Sequence, residues 1–333
     1  MRMVLTLMMA SIALAQQGVK PPPLVPLDKL TIPKAEEGEA DADQPQASSL
    51  AGNALFGLKD KDGKIKSALA ALEKEPGNPD LYLAAGRLQD GYLRYLESIF
   101  VYTQGVAQFP KDYRFLRMRG HRLISTRKFG EAVADLEKAA KLAPNSFDVA
   151  YYLGLAHYFN GDHAKAASVL AACEDQIQKP LAEKKDLLGG RSCESIGTDL
   201  NWRVALQYWR YLALRRAGEM SAAKQYLDEQ VDGKLKVTSS QPFYDALLFF
   251  KGAKEINEML AGANEGVRDA LTRSSAAATY LFTEGERAKG CSIWARNAMD
   301  QNWDHLGVIN AESEFHVNSK AACSLYTAPA PPK

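Results

Sequence analysis

Histidines, cysteines, a few serine–lysine and aspartate–glycine spacings and a run of arginines are the residues of this chain that could do chemistry. His121, His157, His163, His305 and His316 are scattered, without the clustered carboxylates or thiolates that hold a metal ion. Asp60-Lys61-Asp62-Gly63 begins like a calcium loop. With Gly63 as the loop glycine, however, the first and twelfth ligand positions would be Leu58 and Leu69, which offer no oxygen. Gly63-Lys64 is no phosphate loop either: Gly57 stands one residue too far away and Ile65 replaces the hydroxyl residue that would meet magnesium. Ser221-x-x-Lys224 has the spacing of a lysine-activated serine, but the companion K-T-G is missing, and a serine at the head of a helix has a simpler use. No paired acid and base or nucleophile elbow appears. The sequence therefore points to a non-enzyme that needs no cofactor or metal.

The four cysteines carry different information. Met1-Arg2, the apolar stretch Met3 to Leu14 and Ala13-Leu14-Ala15 read as a secretory signal peptide over residues 1–15, cleaved near Ala15. The stretch is too short to span a bilayer, so no stable membrane span is expected after cleavage. Export to the periplasm or beyond puts Cys173, Cys193, Cys291 and Cys323 in an oxidising compartment. Three pairings are open, and nearest neighbours in sequence favour Cys173–Cys193 with Cys291–Cys323 over the others. Four buried thiols are the alternative.

What must position these residues is a repeat. Gly52, Gly86, Gly120 and Gly154 stand 34 residues apart, as do Pro76, Pro110 and Pro144. In Asp162 to Cys173 the apolar Ala166, Val169, Leu170 and Cys173 keep the spacing of one helical face. Each proline would stop a helix, because the residue before it is biased out of the helical region. The unit Tyr113 to Ser146 places Leu116, Arg119-Gly120, Leu123, Ala132, Leu136 and Pro144 where the tetratricopeptide repeat (TPR) pattern wants its signature residues. The units from Pro79 and Phe147 repeat the match with Tyr82, Ala85-Gly86, Ser98, Tyr102 and Pro110, and with Leu153-Gly154, Ala166 and Leu170. The chain thus resembles the TPR family, of the exported bacterial adaptor kind. The resemblance implies an all-α, right-handed TPR-like α-solenoid of helix–turn–helix repeats, whose first helices line a concave groove.

The resulting division is a signal peptide (1–15), a Pro-rich and acidic disordered linker (16–49), four TPR units with a degenerate first one (50–178), an insertion (179–199), looser helix pairs (200–317) and a C-terminal tail (318–333). By the family's geometry, Arg87, Arg114, Arg117, His121, Tyr151, Leu155, Tyr158 and Phe159 face the groove, a basic section beside an aromatic one. Arginine forks suit carboxylates and tyrosines anchor interfaces, so the resemblance implies a partner protein whose bound segment carries acidic and apolar residues. A merely solvated arginine face is the competing reading. The positions that clamp a C-terminal carboxylate in one TPR subgroup hold Leu83, Arg87, Met118, Asp148 and Tyr152 here, so chaperone-tail binding is not expected. A net charge of +1 gives no bulk field for nucleic acid, despite the basic run 114–128. The function expected is a non-catalytic scaffold in the cell envelope. The alternatives are a structural or assembly component of an envelope complex, or a regulatory subunit of an envelope enzyme.

Overall fold

The computed structural model describes residues 40–50, 52–177, 187–262, 267–318 and Cys323. The expected signal peptide, most of the linker, the first half of the insertion and most of the C-terminal tail lie outside the described residues. The end of the expected linker is a strand instead: Ala40–Ser48 (β1) pairs antiparallel with Ala54–Leu58 (β2). Pro45 sits where the register shifts, the position at which a strand tolerates a residue without an N–H. The Gln46 side chain accepts from the Leu96 N–H at 3.0 Å, which ties the hairpin to the helices. Gly52 is accordingly no repeat glycine. It has φ +86° in the turn between the strands, a region that costs glycine little. Only one helix, α1 (Lys64–Lys74), follows where a degenerate first repeat was expected. Asp60 and Asp62 accept hydrogen bonds from its first backbone N–H groups, the use the acidic turn has here.

The next six helices are three repeats: α2 (Pro79–Gly91) with α3 (Tyr95–Gln108), α4 (Tyr113–Ser125) with α5 (Phe129–Leu142), and α6 (Phe147–Phe159) with α7 (His163–Glu174). Their first helices start on side-chain caps that keep the 34-residue interval. Asn78, Asp112 and Ser146 accept from Asp80, Arg114 and Val149 backbone N–H groups. Their partner helices end one to two residues before Pro110 and, in α5, before Pro144. Gly120 and Gly154 let the two helices of a repeat touch: a β-carbon at either would lie 2.6 Å from Leu136 or Leu170.

After the insertion come α8 (Leu200–Arg216), α9 (Met220–Gln230), α10 (Gln241–Phe250), the short α11 (Ile256–Leu260), α12 (Arg268–Thr283), α13 (Arg287–Asn297) and α14 (Leu306–Asn318). One continuous apolar core runs from Leu123 through Trp209 to Ile309. Disulfides join Cys173 to Cys193 and Cys291 to Cys323, the pairing favoured by sequence proximity. The architecture is a TPR-like α-solenoid.

Its last helix is not the polar cap that usually ends such a stack. Every residue from Gly307 to Glu314 is buried. Helix α14 folds back to pack on α6, α12 and α13. Its Glu312 pairs with the Arg127 guanidinium and accepts from the Leu50 N–H at 2.9 Å. Its Glu314 accepts from Arg216 at 2.8 Å and from the Tyr158 hydroxyl at 2.7 Å.

Candidate partner-binding site

The first helices α4, α6 and α8 pack in succession, and α2 precedes them, joined to α4 by the Asp80–Arg114 pair. Helices α4 and α6, and α6 and α8, touch directly, while neighbouring second helices such as α5 and α7 make at most marginal contact. The second helices are splayed outward, so the first helices face the concave side. Of the eight residues expected there, Arg87 on α2 and Arg117 and His121 on α4 are half-buried and reach the surface.

The other five are in the core, which corrects the expected aromatic section. Arg114 has no exposed side-chain surface. It sits between Asp112, which its Nη2 meets at 2.6 Å, and Asp80, which its Nη1 meets at 3.0 Å. It is a buried link between two repeats, complete without a partner. Tyr151, Leu155, Tyr158 and Phe159 are buried because α8 and α14 cover the end of the repeat array. Trp209 packs 5.3 Å from Tyr158 and 5.4 Å from Phe159, centroid to centroid, and Trp202 packs 5.5 Å from Tyr151.

The concave face that remains is basic. His121 stacks on Tyr152 with ring centroids 3.9 Å apart, and the Arg117 guanidinium lies 4.8 Å over the same ring. Arg122, from the next position, lies 4.6 Å over the Tyr95 ring and 3.7 Å from Asp90. Burial and the Arg122 and Arg117 charges hold the His121 imidazole well below its ordinary pKa, so it is neutral here. Burial, with Arg117 as a like-charge neighbour, also lowers Arg87. Burial tends to raise the Asp148 carboxyl, but Arg117, 3.6 Å away, and Arg191 outweigh it and hold it ionised below the usual range.

Arg191 and Tyr152 were not among the expected site residues. Arg191 comes from the insertion, where no periodicity points to it. Its guanidinium lies 4.0 Å over Trp202 and pairs with Asp148, and its backbone accepts from the Phe147 N–H at 2.9 Å. The Tyr113 hydroxyl donates to Leu187 O at 2.6 Å. With the Cys173–Cys193 bond, these contacts fix the described half of the insertion as a wall at the N-terminal ends of α4 and α6. Tyr152 is one position out of the expected register, and only its stacking partners reveal it.

The remaining candidates have structural roles. Lys224 pairs with Asp228 at 2.7 Å. His157 is buried, 3.5 Å from Asp162. The His305 Nδ1 accepts from the Gly307 N–H at 3.1 Å, at the start of α14.

No family model matches this chain, and no curated protein matches it. Two of the solved structures that are similar to it are the following. One is the crystal structure of YrrB, described as a TPR protein with an unusual peptide-binding site. It is 13% identical at a TM-score of 0.40, with 74% of this chain and 98% of YrrB covered. The other is the structure of Naa15/Naa10 bound to HypK-THB, at 16% identity and a TM-score of 0.35. There the match covers 80% of this chain and 39% of the other.

Proposed function

We propose that the protein is a non-catalytic interaction scaffold of the cell envelope. A segment of a partner protein lies along the concave face of α2, α4 and α6. The observation that carries this reading is the Arg117 guanidinium over the His121–Tyr152 stack, with Arg87 as its like-charge neighbour on α2 and the buried Arg122 against His121. Burial first, with the Arg117 charge, disfavours the charged form of Arg87, and Tyr102 and Asp90 offset only part of that. A carboxylate on the partner would relieve it, and an apolar neighbour would rest on the His121–Tyr152 stack. The partner is therefore an acidic and apolar protein segment. Two disulfides support an oxidising location.

The test is titration of the captured partner segment against Arg87→Ala/Arg117→Ala. Loss of about two charge-assisted contacts should weaken binding at least tenfold. Unchanged affinity would remove this face from the site.

A further inference from the structure

A cavity of about 540 Å³ lies away from the concave face. It opens between the second helices α7 and α9, over α8. Like α5 and α7, these second helices make at most marginal contact with each other. On its floor, Glu174 accepts from Arg210 at 2.7 Å, from the Tyr226 hydroxyl at 2.7 Å and from Gln207 at 3.3 Å. That carboxylate is fully used, and Arg210 is neutralised by it.

Arg203, two turns before Arg210 on the same face of α8, is half-buried and makes no hydrogen bond or ion pair among the described residues. Its Nε is shielded from solvent and has no acceptor, like the Nε of Arg210. The floor therefore carries one uncompensated positive charge beside an apolar wall of Ile177 and Leu214. The rim has the opposite sign: Asp175, Glu219 and Glu229 are all exposed there.

We infer that this cavity binds a small zwitterion of the amino-acid or short-peptide kind, with its carboxylate on Arg203 and its ammonium groups on the acidic rim. A guanidinium fork without a partner is matched in geometry by a carboxylate. A simple anion would be repelled at the rim, and a simple cation by Arg203. The volume falls within the range of small-molecule sites.

The probe is the dipeptide Gly-Lys, titrated calorimetrically into the full-length protein beside its C-terminal amide. Saturable binding of Gly-Lys is expected, with the amide and the Arg203→Gln variant each at least about tenfold weaker. Glu219→Gln/Glu229→Gln should weaken Gly-Lys several-fold and Gly-Gly, which brings one ammonium group fewer to the rim, by less. Because Arg203 has no partner among the described residues, Arg203→Gln should melt no lower than the parent. No binding of Gly-Lys at about 10 mM, equal binding of acid and amide, full binding by Arg203→Gln, or a lowered melting temperature in that variant would each overturn the inference. None of these outcomes touches the concave face, whose test uses other residues and another ligand.

Discussion

Buried charges decide which arginines hold the fold and which are open to a partner. Arg127 and Glu312 are each 2% exposed in their side chains, and Arg127 also donates to Trp303 O at 2.8 Å. Glu312→Ala would leave that guanidinium buried and short of its carboxylate. Removing one member of a buried pair costs about 3–5 kcal/mol, which a denaturant titration would read as a matching loss of stability. Arg117→Ala should cost less, because Asp148 would keep its second partner, Arg191.

His305 gives a pH prediction. Burial first, then Arg268, lowers its imidazole to about 4, against an ordinary value near 6.5. Below pH 6.5 the unfolded chain takes up a proton that the folded chain refuses. Its contribution is thus fully present above that pH and is lost as pH falls towards 4. The loss at pH 5 should be roughly 2 kcal/mol, with His121 and His163, both lowered, acting in the same direction. His305→Asn should flatten the fall in stability between pH 7 and 5. An unchanged slope would assign that fall to other groups.

At the scale of elements, the repeat was legible because its signals are local. Gly120, Gly154, Pro110 and Pro144 act on their own helices, and a 34-residue interval exposes them together. Gly154→Ala would push a methyl group into Leu170, where only 2.6 Å is available. Overpacking of this kind costs about 1–3 kcal/mol, so the melting temperature should drop by several degrees.

The hairpin was missed because its stability comes from Gln46 and Leu58 meeting the α2–α3 turn, contacts far away in sequence. Gly52 fell in phase with the repeats and yet serves a turn. Of the groove positions carried over from the TPR pattern, Arg87, Arg117 and His121 keep some exposed surface. Tyr158 and Phe159 are buried, because the pattern describes an open stack whereas here distant helices cover them. Tyr158 is closed off by Glu314, 156 residues further on.

For the whole molecule, the two disulfides fix the parts that the repeat cannot. Cys173–Cys193 fastens the insertion to the last regular repeat, and Cys291–Cys323 fastens the chain beyond α14 to α13. Closing loops of 20 and 32 residues should contribute roughly 3 kcal/mol each. Cys173→Ser/Cys193→Ser should therefore lower stability by that order and loosen the wall that carries Arg191.

The central claim is that the concave face of α2, α4 and α6 holds a partner protein, and one measurement addresses it most directly. A photocrosslinking residue at position 121 would be activated in the native envelope fraction, in the parent chain and in Arg87→Ala/Arg117→Ala. The account predicts one stoichiometric partner, crosslinked through a segment containing carboxylate and apolar side chains, and lost in the double variant. A partner captured equally by both chains, or crosslinks to this chain alone, would contradict it.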